Sequence, residues 1–163
     1  MKAILLAGVM VLASAGVVAA APIGTVSEIN VHIGAPLQAK AQKYGDRELE
    51  YLSDDLETQV QRALTNAGEA GPGGARLDLT IVDATPNRPT FQQMAANIDL
   101  CYCSHGIGGA DIKGSLTYPD GRTVPLSFRW YETDIRSEEA TATWSDAQWT
   151  FERFAYDLAR GRV

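Results

Sequence analysis

Gly109-Ala-Asp-Ile-Lys-Gly-Ser-Leu-Thr-Tyr-Pro-Asp-Gly-Arg-Thr-Val-Pro-Leu-Ser-Phe-Arg-Trp-Tyr131 is the stretch whose reading decides the fold. Ala110, Ile112, Gly114 and Leu116 alternate with Asp111, Lys113, Ser115 and Thr117, the period of a strand with one apolar face. Tyr118-Pro119-Asp120-Gly121 then makes a turn, with proline preset for its second position and glycine at its fourth. Beyond it Val124, Leu126, Phe128 and Trp130 repeat the alternation, so 109–131 is predicted to be a hairpin.

Working back from the hairpin, residues 76–84 form a further strand in which Leu77, Leu79 and Ile81 alternate with Asp78 and Thr80. Thr85-Pro86-Asn87-Arg88-Pro89 breaks it, because proline supplies no ladder donor. Between the break and the hairpin, a short helical turn is expected around Phe91–Ala96. Upstream, Leu49, Leu52, Leu56, Val60, Leu64 and Ala67 recur at helical spacing. Gly68 suits a left-handed cap for that helix, and Gly71-Pro72-Gly73-Gly74 makes the following turn. Residues 34–47, with Gly34, Pro36 and Gly45, read as an irregular connector. Ahead of them Ile29, Val31 and Ile33 share one side of a strand over 25–33.

Forward of the hairpin lies one more helix. Ser145 and Gln148 have capping-box spacing, and Trp144 and Trp149 stand where a hydrophobic staple would place them. Ala147, Phe151, Phe154, Ala155 and Leu158 form its apolar stripe, and Gly161 stops it. The predicted fold is an α+β two-layer sandwich with the order strand, helix, strand, hairpin, helix. Two helices on one face of a mostly antiparallel sheet bury all these stripes.

Three stretches carry a resemblance: Leu77-Asp-Leu-Thr-Ile-Val-Asp-Ala-Thr-Pro86, the hairpin tipped by Tyr118-Pro-Asp-Gly121, and the closing helix with Trp149, Phe154-Ala155 and Leu158-Ala159. Over roughly residues 48–160 the chain resembles a family of small uncharacterised bacterial envelope proteins, many of them lipoproteins. The resemblance implies an envelope location and carries over no catalytic residue. The chain departs from that family in lacking the cysteine that would take a lipid.

Residues 1–20 read as a cleavable signal peptide, ahead of a single domain over 21–163. Lys2 precedes a run without charge from Ala3 to Ala20, and small residues close it, with Val18 and Ala20 at the processing positions. Cleavage is expected before Ala21, leaving no stable membrane anchor. Without Lys2 there are 13 basic residues against 20 acidic ones, a net charge of −7. A domain of this length buries about 68–70% of its unfolded surface, enough for an ordinary core. The acidic balance argues against nucleic acid, whose phosphates need a basic face, and against an anionic membrane surface.

Only His32 and His105 could act as imidazole bases, and His32 alternates out of its strand to a solvated position. Gly106-Ile-Gly108-Gly109-Ala-Asp111 is not a nucleotide loop, since Asp111 replaces the third glycine and a strand follows it. Asp54-Asp55 is expected near the start of a helical turn, and Glu138-Glu139 in a polar loop, both solvated. The three tryptophans could make a carbohydrate or aromatic platform, but Trp144 and Trp149 are assigned to the staple and Trp130 to a core-facing strand position.

Cys101-Tyr-Cys103-Ser-His105 stands apart. Two cysteines in an oxidising compartment seldom stay reduced, and three readings compete. An internal Cys101–Cys103 bridge needs a bent backbone, because alternate residues of a flat strand lie about 6.6 Å apart and a disulfide wants Cβ atoms at about 3.8 Å. Alternation would instead bring Cys101, Cys103 and His105 to one face as soft or borderline ligands for Cu(I) or Zn²⁺. The third reading is a bridge to a partner chain, or free thiols. The expectation adopted is the internal bridge, with no cofactor and no catalytic residue. It belongs to a non-catalytic periplasmic or secreted module that binds an envelope protein or assists envelope assembly. The alternative is a redox or Cu/Zn-handling protein built on Cys101, Cys103 and His105.

Overall fold

The computed structural model describes residues 23–137 and 142–163. Residues 1–20, expected from the sequence to be a signal peptide, and Glu138-Glu139 lie outside those residues. The described chain runs β1 (Val26–Ile33), α1 (Ala35–Gln38), α2 (Ala41–Tyr44), α3 (Asp46–Ala67), β2 (Ala75–Thr85), α4 (Phe91–Ala96), β3 (Gly109–Thr117), β4 (Thr123–Tyr131), a short 3₁₀ turn (Ile135–Ser137) and α5 (Ser145–Leu158).

The strands lie side by side in sequence order, β1 parallel to β2 and the other two pairings antiparallel. The register follows the apolar alternation. Ile33 pairs with Ile81, Ile81 with Ile112, and Ile112 with Phe128, so one row of large side chains crosses the whole sheet. The next row passes Val31, Leu79, Gly114 and Leu126. A Cβ at Gly114 would collide with the Asp78 carbonyl and press on Leu79, so this close crossing requires glycine. The turn forms as expected, with the Gly121 N–H bonded to the Tyr118 carbonyl at 2.9 Å.

Helix α3 is the crossover that parallel β1 and β2 need. Leu49, Leu52, Leu56, Val60 and Leu64 are buried along one stripe, and Gly68 ends the helix with φ 74°. Helix α3 packs over β1, and α5 lies beside α3 over β3 and β4. Ala147, Phe151, Phe154, Ala155 and Leu158 are buried as predicted. The α+β two-layer sandwich is therefore the observed fold.

Four details of the sequence reading change. Residues 34–47 are two short helical turns rather than an irregular connector. Pro36 suits the first turn of α1, and Leu37 and Tyr44 are buried, which gives the segment its order. Helix α5 starts without the capping box. Its Ser145 Oγ bonds to Ala142 instead, and no side chain caps the helix from Trp144. The staple is also absent. Trp144 is buried edge-on against Tyr44, with centroids 5.5 Å apart, and donates its indole N–H to Glu48 at 2.6 Å. Trp149, 46% exposed, packs against Trp130 at 4.6 Å on the other side of the helix.

Fourth, Asp54 and Asp55 fall in the middle of α3. Asp54 is exposed, whereas Asp55 is half-buried, and its Oδ2 is buried without a hydrogen-bond partner among the described residues. Burial pushes the Asp55 carboxyl above the ordinary carboxylate range, opposed by Gln59, Arg62 and Gln148. A carboxyl that holds its proton more tightly folded than unfolded favours the fold at low pH. That contribution is lost as pH rises through the raised folded-state value. Asp55→Asn is therefore expected to raise the urea midpoint at pH 7. Below about pH 3.5, where the unfolded carboxyl is also protonated, it should leave the midpoint nearly unchanged.

Candidate functional site

Between β2 and β3 the chain does not turn tightly but makes a lobe over residues 86–108. Its foundation is Asn87, a buried polar side chain. The Asn87 amide donates to the Gly106 carbonyl at 3.1 Å and to Asp146 Oδ2 at 2.6 Å, and its Oδ1 accepts the Asp146 N–H at 2.9 Å. Asp146 Oδ2 also accepts the Gly108 N–H at 2.8 Å. Backbone bonds from Asn87 N–H to the Thr143 carbonyl (2.7 Å) and from Gly106 N–H to the Asn87 carbonyl (2.8 Å) complete the clamp. One of the N–H groups that every helix start leaves unpaired is thus satisfied by a residue 59 positions away. That is why α5 does without its local box.

Above the clamp sits a capping box after all, at Thr90 and Gln93. Thr90 Oγ1 accepts the Gln93 N–H at 3.2 Å, and Gln93 Oε1 accepts the Thr90 N–H at 3.1 Å. This box starts α4, the helical turn expected over Phe91–Ala96. The Thr-x-x-Gln spacing that marks it is the same signal the sequence shows at Ser145.

After α4 the chain bends twice, through Leu100 N–H to the Asn97 carbonyl (3.1 Å) and Ser104 N–H to the Cys101 carbonyl (2.8 Å). The second bend brings the Cα atoms of Cys101 and Cys103 to 5.1 Å, and the two sulfurs are bonded to each other. The alternating strand on which the metal set depended is not formed. Sulfurs tied in a disulfide are not thiolate ligands, and His105 turns its Nδ1 toward the Cys103 carbonyl at 3.4 Å. No three His, Cys, Asp or Glu side chains converge as metal ligands among the described residues.

The lobe shows solvent an unusual set of side chains. Phe91 is 83% and Ile98 98% exposed, and Tyr102 and Ile107 are exposed with them. Arg88 holds Tyr102 in place, donating to its carbonyl at 2.8 Å with the guanidinium 5.4 Å from the ring. Tyr102 faces a hollow of about 320 Å³ shared with Arg47, Tyr51, Trp144 and Gln148. Across the hollow, Gln148 donates to the Tyr51 hydroxyl at 2.7 Å. Sequence reasoning singled out the two cysteines but not Asn87, Phe91 or Ile98.

A second polar cluster lies between α2 and the sheet, around Asp83 of β2. Lys40 meets Asp83 at 2.6 Å, and the Tyr131 hydroxyl donates to the same carboxylate at 3.3 Å. Burial, together with the Asp83 charge, pushes the Tyr131 phenol up. His32 is exposed on β1, as expected.

A solved minor lipoprotein from Acinetobacter baumannii is similar at 15% identity and a TM-score of 0.36, over 82% of this chain and 90% of that one. No family model and no curated protein matches.

Proposed function

We propose that this chain is a non-catalytic binding or assembly module of the cell envelope, exported behind residues 1–20 and docking a protein partner through the lobe at 86–108. The observation that carries this reading is the exposure of Phe91 and Ile98 on a segment that is otherwise tightly held. Isolated apolar side chains on a surface are ordinary, but several on one short lobe mark an interaction surface. The clamp below them keeps the ordering cost of binding low. The polar clusters support a non-catalytic role, since Asn87 and Asp146 anchor the lobe and Lys40 and Tyr131 share Asp83. Export is supported by Lys2 followed by the run without charge to Ala20, and by the bonded cysteine pair. No helix among the described residues is long and apolar enough to cross a membrane.

The expected result is that the mature chain, used as bait in envelope extracts of its source cells, retains a protein that the Phe91→Asp, Ile98→Asp double variant does not. The circular dichroism and urea midpoint of the variant should match the wild type, because neither side chain is in the core. Equal capture by the two baits would refute the proposal.

A further inference from the structure

We propose that the Cys101–Cys103 bridge is an exchangeable redox site that accepts two electrons from a dithiol, with Cys103 the sulfur attacked and Cys101 the sulfur that leaves. This inference is independent of the docking proposal and is tested without a protein partner.

Three observations carry it. First, both cysteines are exposed, so an attacking thiolate reaches them without unfolding the chain. Second, the bridge is not what holds the lobe. The Asn87 clamp, the Thr90–Gln93 box and the Ser104 N–H bond to the Cys101 carbonyl are all made without either sulfur. A ring this small adds only about 1.5 kcal/mol through chain entropy. Exposed disulfides that contribute little to the fold are the labile class.

Third, the two sulfurs have different surroundings. Ser104 Oγ lies 3.6 Å from Cys101 Sγ and accepts the Cys101 N–H at 3.3 Å. A disulfide sulfur carries no hydrogen, so the Ser104 hydroxyl is the donor in that contact. It stabilises negative charge on Cys101, since a hydrogen bond to the charged form lowers a thiol's pKa. The lower-pKa thiol leaves faster. The exchange then runs in one direction. One thiolate of the dithiol attacks Cys103 Sγ, the S–S bond breaks, and its electron pair leaves on Cys101, forming a mixed disulfide at Cys103. The second thiolate of the dithiol attacks its own partner sulfur and releases Cys103. The dithiol ends as a disulfide, and both cysteines end reduced and take up the dithiol's two protons.

Brief exposure of the full mature protein to reduced glutathione, an acid quench, thiol labelling and fragmentation mapping test the direction. The adduct is expected on Cys103 and the label on Cys101. In Ser104→Ala the reaction should slow by about threefold. Without the Ser104 hydroxyl the departing Cys101 sulfur is a poorer leaving group, and exchange rates fall as the leaving thiol becomes more basic. The preference for Cys103 should be lost as well. Dithiothreitol should reduce the native protein completely with its circular dichroism unchanged. An adduct mainly on Cys101, or a bridge that yields only after urea is added, would overturn the proposal.

Discussion

Phe154→Ala is expected to destabilise the fold by about 3–5 kcal/mol, the range for truncating a fully buried phenylalanine. Phe154 sits on the inward stripe of α5 with no exposed surface, and its ring meets that of Phe128 on β4 at 6.0 Å. It therefore joins α5 to β4, an edge strand of the sheet. Neighbouring Phe151 and Leu158 are held by the helix and cannot move in to fill the space, so most of the cavity should remain. Urea denaturation measures the loss. A cost below about 1 kcal/mol, typical of a surface substitution, would show that this stripe is not the core.

Asn87→Ala is the second large effect, expected at about 3 kcal/mol, because it strands several groups at once. The Gly106 carbonyl, the Asp146 carboxylate and the Asp146 N–H all lose a partner. Each buried polar group left unpaired costs about 1–3 kcal/mol, moderated where water can enter. Asn87→Asp separates this account from simple loss of packing. It keeps the acceptor for the Asp146 N–H but sets a second carboxylate against Asp146 where an amide donor stood. Like charges at that distance raise the pKa of one partner, so the variant should be far weaker than wild type at pH 7. It should recover much of the difference at acidic pH, where one oxygen is protonated and donates again. Urea midpoints across that pH range decide it, and a deficit independent of pH would contradict the account.

The fold was legible because its signals are periodic. The alternation at Ala110–Leu116 and Val124–Trp130 and the helical spacing at Leu49–Leu64 each repeat often enough to fix element and face. Where the reading failed, the deciding partner was distant in sequence. Ser145 and Gln148 have the spacing of a box, yet the start of α5 is satisfied by Asn87, whose presence no local window reveals. Trp144 takes Tyr44 and Glu48 as partners rather than Trp149. The short helices over 35–44 are held by tertiary burial of Leu37 and Tyr44, which a run interrupted by Gly34, Pro36 and Gly45 conceals. At the lobe, the cysteine pair was visible as a pair. The exposure of Phe91 and Ile98 was not, because apolar residues near a helical turn read equally well as core.

The most direct test of the docking proposal places a photo-crosslinking amino acid at position 98 in the cell, with controls at Asp54 of α3 and Lys113 of β3, both exposed and away from the lobe. The account predicts a discrete adduct with another envelope protein from position 98 and none from either control. Adducts of equal yield from all three positions, or none from position 98, would contradict it.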